Sequence, residues 1–261
     1  MKFSTNSPVK IVMLGAGGTG GHAAPHIYRL LFSIGRRVRF ILVDGDAVEA
    51  KNLVRQNFSE YDLGQNKARA MAERYSDAFG LEPEYIPDFI EEKERLAALV
   101  RPDICALPKN QWYKKDGRQI KAASELVILI GAVDNNKSRK LCHEVFMEAR
   151  DLVYIDSGNG EFSGQVVCGV RRAGRTMFQP VGALYPDVLD ETDKFPSELS
   201  CAEASVSAPQ AITANLTAAT IVVDLVYNIV VLGENEVRSA PFSTRTVNVR
   251  SHIEKSRRKA A

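Results

Sequence analysis

Cysteine is sparse in this chain and carries no pattern. Four cysteines, Cys105, Cys142, Cys168 and Cys201, are spread over 261 residues with no C-x-x-C spacing, which argues against a zinc knuckle and against a disulfide framework. No zinc is expected. An excess of one charge is also missing: 34 Lys and Arg against 32 Asp and Glu leave a formal net charge of +2. That is too small to make nucleic acid or an anionic membrane the principal partner. The amino terminus from Met1 to Pro8 is polar and has no apolar signal region, which points to the cytoplasm. Long apolar runs are absent but for Leu216 to Leu232, which holds Asp224 and Asn228. It falls short of a membrane span and reads as a buried or interface helix.

With 45% hydrophobic and 25% charged residues, the composition is that of an ordinary soluble globular chain. Its length suits one large α/β core, a single domain over residues 1–250, before a basic and disordered tail at 251–261. The rest is organised around Val9 to Phe58. Val9 to Leu14 is short, β-branched and closed by glycine, as a buried parallel strand should be. Gly15-Ala16-Gly17-Gly18-Thr19-Gly20 follows, then a helix from about Thr19 to Ser33. Glycines let the backbone approach a phosphate closely, and a helix amino terminus offers it free N–H groups and a positive dipole end. A second strand, Val38 to Val43, ends at Asp44, the place where ribose hydroxyls are usually held.

On its own this unit suits a nicotinamide or flavin enzyme equally well. The residues beyond it narrow the choice. Arg55 and Lys67 follow soon after the ribose acid; a dinucleotide dehydrogenase has no need of them, whereas a triphosphate site does. Arg55 offers a planar fork and Lys67 a point charge. Lys67 stands in the first turn of a helix, against the dipole, which makes sense if it faces phosphate. The alternative is that both are solvated surface charges. Leu126 to Ile130 is a further parallel strand, and Asp134 beyond it should point into the same crevice as Gly17 and Asp44. A carboxylate there suits magnesium. The competing role for Asp134 is to cap the helix Asn136 to Ala149.

GAGGTG, VDGDAVEAKNLVRQNF, LGQNK and AVDNNKSR together resemble the motifs of the ThiF/MoeB and ubiquitin-activating adenylyltransferases, well over residues 9 to 140 and loosely beyond, and compact bacterial ThiF-like proteins most of all. The resemblance implies a Rossmann-like α/β fold: a mostly parallel sheet, helices on both faces and an antiparallel carboxyl-terminal extension. It implies ATP held by Gly15, Gly17, Gly18, Gly20, Asp44, Asn52, Arg55, Gln56, Lys67, Asn135 and Arg139, and Mg2+ on Asp134. The activity implied is adenylation of the carboxyl-terminal glycine of a ubiquitin-like or sulfur-carrier protein by a homodimer, with a conjugating-enzyme-like acceptor downstream. Two features depart from the family: the cysteine pairs that often hold structural zinc are absent, and no arginine precedes the first strand to reach a neighbouring subunit's site. An NAD-type oxidoreductase and a non-catalytic ATP-binding interaction module are the alternative readings.

Elsewhere the expectations are local. His22 and His26 lack a third metal ligand and read as solvent-facing or capping residues; Arg36 and Arg37 are placed to cap the carboxyl end of the first long helix. A short extended segment at 83–87 precedes an acidic helix from about Glu91 to Val100. Arg101 to Ser124 reads as a long basic loop whose Trp112 either docks an acidic partner or folds onto the body. Leu152 to Ile155 and Gly164 to Val170 are strands, the latter antiparallel, and Cys142 and Cys168 are core residues. Gln179 to Ser200 reads as a flexible surface segment. Cys201 is expected at the amino terminus of a helix spanning Ala202 to Leu232, where the dipole would favour its thiolate as a nucleophile. That helix and a strand from Phe242 to Val249 are the expected dimer-forming portion.

Overall fold

The computed structural model describes residues 1–106, 113–115, 118–120, 122–190, 193–198 and 209–253. In chain order its elements are β1 (Val9–Leu14), α1 (Gly18–Ser33), β2 (Val38–Val43), α2 (Lys67–Phe79), β3 (Glu84–Ile86), α3 (Lys93–Leu99), β4 (Ile104–Ala106), β5 (Tyr113–Lys115), β6 (Arg118–Ile120), β7 (Ala122–Ser124), β8 (Leu126–Gly131), α4 (Asn136–Glu148), β9 (Leu152–Asn159), β10 (Ser163–Arg172), β11 (Arg175–Phe178), α5 (Val181–Leu184), α6 (Ile212–Tyr227), β12 (Val237–Ser243), β13 (Asn248–Val249) and β14 (His252–Ile253).

The main sheet runs β13-β12-β10-β9-β8-β1-β2-β3. From β9 to β3 the pairs are parallel; from β9 to β13 they are antiparallel. This is the Rossmann-like mixed sheet, with its antiparallel extension on one side. Successive side chains of a strand point to opposite faces, and here each face is covered. Val9, Ile11 and Met13 pack with Ile27, Leu31 and Val222 on the side of α1 and α6. Val12 and Leu14 pack with Leu96, Leu141 and Phe146 on the side of α3 and α4. Burial on both faces is the reason β1 is apolar at every position but Lys10, whose buried ammonium pairs with Glu125 Oε2 at 2.9 Å. Strand order reverses between β1 and β8, so the loops after these two strands diverge and leave a crevice at their carboxyl ends.

Several expectations are corrected. The last long helix begins at Ile212, not Ala202: Pro209 disfavours helix before it, and Ala211 is extended at φ −71°, ψ 143°, its N–H donating to Glu161 O at 3.0 Å. The helix continues through a π turn at Asn228–Leu232. By length and composition Ile212–Leu232 would cross a membrane, but Ala218, Val222, Leu225 and Val226 are buried against the sheet and α1. Arg101 to Ser124 is not wholly loop, since β4 pairs with β7 and β5 with β6; Trp112 lies outside the described residues. Within Gln179 to Ser200, Val181 and Val188 are buried in the core on the α4 side. The final long strand is centred on Val237–Ser243, because the chain turns before Val247, whose φ is 49°. His252 and Ile253, placed in the tail by composition, pair with β12. Arg36 does not cap α1; its Nη2 donates to Val230 O at 2.6 Å, a carbonyl of the π turn.

Candidate functional site

Two glycines allow the first turn of the crevice to close. Gly15 leaves β1 at φ +93°, and a Cβ there would sit 2.4 Å from Ala132 O. A Cβ on Gly20 would sit 1.9 Å from Gly15 O. The loop is therefore clamped between the first turn of α1 and the end of β8. Gly17 is the N-cap of α1 and no side chain caps that end. Its first N–H groups are thus left for an anion. Gly15, Gly17 and Gly18 line the crevice; Gly20 serves by packing.

Asp44 ends β2 almost buried. Its Oδ2 accepts from Ala16 N–H at 2.7 Å and its Oδ1 from Asp46 N–H at 2.9 Å, so this carboxylate braces the glycine loop as well as facing the crevice. Burial raises its pKa to about 6, against the opposing pull of the Lys67 charge. Asn66, which the sequence reading passed over, supports the same corner. Its Nδ2 donates to Asp44 O at 2.7 Å while its Oδ1 caps α2 by accepting from Arg69 N–H.

Lys67 is not a solvated surface charge. It is the first residue of α2, buried, with Nζ 2.7 Å from Asp46 Oδ2. Arg55 is half-buried, and its Nη1 donates to Gln210 Oε1 at 3.0 Å. Asn52 does not line the crevice. Its carbonyl accepts from both Arg55 N–H and Gln56 N–H, building the turn that presents them, and His22 Nε2 lies 3.1 Å from Arg55 O. Gln56 is buried against the loop at Gly17, and its Oε1 has no hydrogen-bond partner among the described residues.

On the opposite wall, Asp134 is exposed, lines the crevice and makes no hydrogen bond or ion pair among the described residues. The helix cap belongs to its neighbour: Asn135 Oδ1 accepts from Ser138 N–H at 2.8 Å. Asp134 is thereby left to a ligand. Among the described residues no three His, Cys, Asp or Glu side chains come together as a metal cage. A magnesium ion held mainly by phosphates and water, with one carboxylate, suits this donor set. Arg139 stands behind the wall, away from the crevice lining, with Nη2 donating to Val133 O at 2.8 Å.

Several crevice residues escaped the sequence reading, Gln210 and Asn159 among them. These two are joined by Gln210 Nε2 donating to Asn159 O at 3.2 Å. No local pattern marks either one, because a partner some fifty positions away is visible only once the chain has folded. Cys142 and Cys168 are buried in the core, and burial pushes the Cys168 thiol up to about 12 and the Cys142 thiol higher. Neither is a thiolate nucleophile. Cys201 lies outside the described residues, and the helix meant to activate it starts eleven positions later, at Ile212.

Three solved structures set this arrangement in context. The selenomethionine crystal structure of PaaA matches with a TM-score of 0.60 and 19% identity over 94% of this chain and 64% of its own. The E. coli MccB structure with ATP matches at 0.58 and 18%, again over 94% and 64%. The microcin C7 biosynthetic enzyme MccB in complex with N-formylated MccA matches at 0.56 and 17%, over the same shares. The chain thus spans just under two thirds of the length of these proteins, and the likeness is one of fold. No curated protein matches it significantly. A family model described as the ThiF family matches residues 5–260, almost the whole sequence, and with the glycine loop, Arg55, Gln56, Lys67 and Asp134 gathered in one crevice the chain belongs to the ThiF family.

Proposed function

We propose that this protein uses ATP to adenylate the terminal carboxylate of a peptide or carrier protein, and more narrowly of a ubiquitin-like or sulfur-carrier protein ending in glycine. The observation that carries the reading is that Arg55, Lys67 and Asp134 line the same crevice as the uncapped amino terminus of α1. A redox cofactor has no use for two cations and a free carboxylate in that place. Membership of the ThiF family, and a fold shared with a protein crystallised with ATP and with MccA, support the same reading.

In the proposed reaction an acceptor carboxylate oxygen attacks the α-phosphorus of ATP. The new bond makes an acyl-adenylate, the bond to the bridging oxygen of the β-phosphate breaks, and pyrophosphate leaves. The glycine loop and α1 hold the phosphates and Asp44 the ribose hydroxyls. Arg55 and Lys67 are to leave Gln210 and Asp46 and neutralise the departing pyrophosphate; positioning and charge supply the rate. Asp134 would hold Mg2+, which when bound offsets phosphate charge. In a second step Cys201 Sγ takes the acyl group as a thioester and AMP leaves, before transfer to a conjugating-enzyme-like acceptor. The exposed Leu216 and Tyr227 on α6 suit a homodimer contact.

Exchange of labelled pyrophosphate into ATP tests the adenylation step. With magnesium and a carrier ending in a free glycine carboxylate, exchange is expected; amidation of that carboxylate should stop it. Binding of NAD with no affinity for ATP would instead favour an oxidoreductase.

A further inference from the structure

Among the charged pairs the mechanism leaves unused, one lies directly behind the Asp134 wall. Asp156, on β9, is wholly buried. Its Oδ2 accepts from Tyr154 Oη at 2.7 Å, whereas its Oδ1 has no hydrogen-bond partner among the described residues. Arg139 Nε, also without one there, lies 3.6 Å from that oxygen, too far for a hydrogen bond and close enough for attraction at a site largely shielded from solvent. Space for the pair is kept by glycines. A Cβ on Gly131 would meet Asp156 Oδ2 at 3.3 Å, and one on Gly158 would meet Arg139 Nη2 at 3.2 Å.

The remaining nitrogens of Arg139 face the other way. Nη2 donates to Val133 O at 2.8 Å and to Ser157 O at 3.4 Å, and Nη1 donates to Asn136 Oδ1 at 3.2 Å. The guanidinium therefore bridges β9 to the turn on both sides of Asp134. Without Asp156, nothing else among the described residues offers Arg139 a carboxylate. Burying an ion pair seldom raises stability over an apolar pair, so this one calls for another explanation.

We infer that Asp156 and Arg139 are a buried positioning pair that fixes the Val133–Asp134 turn, and with it the carboxylate offered to a divalent cation. The inference rests on the reading of Asp134 as the magnesium-holding residue, and it moves Arg139 from contact with nucleotide to support behind the wall. Outer partners of metal ligands commonly cost about 10- to 100-fold in metal affinity when changed.

The test is calorimetric titration of the full chain with ATP, once with excess magnesium and once with chelator, the quantity of interest being the ratio of the two dissociation constants. For Asp156→Asn, which keeps the shape and the Tyr154 hydrogen bond, ATP affinity in chelator is expected to stay within about twofold of wild type and the magnesium enhancement to fall roughly tenfold. Arg139→Lys keeps the charge but loses the fork and should behave alike. Should either variant prove unstable, the double variant Asp156→Asn, Arg139→Gln removes both charges; it is expected to lose no more enhancement than the worse single change, as residues acting as a unit do. Full magnesium enhancement in Asp156→Asn, whatever its thermal stability, would overturn the positioning role and leave the adenylation reading standing. No enhancement in wild type would overturn the pair and the metal role of Asp134 together.

Discussion

Asp134→Ala is expected to lower magnesium-dependent exchange of pyrophosphate into ATP by at least about 100-fold, the usual cost of removing one preorganised electrostatic group from a reacting centre. The side chain is exposed and without a partner among the described residues, and the neighbouring Asn135 keeps the cap on α4. Thermal unfolding should therefore stay within about 0.5 kcal/mol of wild type. That separation of activity from stability distinguishes a ligand-holding carboxylate from a structural one. Asp134→Asn, which retains an oxygen without the charge, should recover little. Unimpaired exchange in the alanine variant would remove magnesium from Asp134, and with it one wall of the site.

Gly20→Ala is expected to be nearly as severe by a different route. Its new methyl would meet the Gly15 carbonyl oxygen at 1.9 Å and the carbon at 2.9 Å. Both are backbone atoms and cannot swing aside. Gly15 cannot retreat easily: its N–H donates to Val43 O at 2.8 Å, and Ala132 O stands on its other side. Either the loop or the first turn of α1 has to shift, at a cost of roughly 1–3 kcal/mol in stability. The loop that is to hold the phosphates moves with it, so ATP affinity in a direct titration should fall at least about tenfold, one factor of ten being about 1.4 kcal/mol. Gly160→Ala is the control, since a Cβ there meets only Ser163 O, at 3.9 Å. Tight ATP binding by Gly20→Ala would show that the loop takes no part in holding nucleotide.

The parts of the site legible in the sequence were those set by local constraint. β1, β2 and β8 could be read because burial on two faces makes each almost wholly apolar, Lys10 and Arg39 apart. Gly15 stands out because only glycine tolerates its backbone, and Lys67 because a cation in a first helical turn needs a reason to be there. Longer-range features stayed hidden. Asp134 and Asn135 are both good N-caps by residue type, and only the backbone path decides that Asn135 fills the position. Arg139 follows the motif spacing correctly, yet its Nε lies beside a carboxylate on the next strand and its fork bonds the Val133 carbonyl behind the wall. The start of α6 at Ile212 rather than Ala202 follows from Pro209, since the residue before a proline is biased away from helix. Gln210 reaches the crevice from just beyond that proline, and its partner Arg55 lies far off in the chain.

Each of the two cations of the crevice has a protein partner. Arg55 rests on Gln210 and Lys67 on Asp46, so each must exchange a protein partner for phosphate when ATP enters. A crystal structure with a non-hydrolysable ATP analogue and magnesium tests this most directly. The account expects the triphosphate over the Gly15–Thr19 loop, the ion beside Asp134, and the Arg55 and Lys67 side chains turned onto phosphate oxygens. Arg55 and Lys67 still on Gln210 and Asp46, with the analogue elsewhere or absent at saturating concentration, would contradict it.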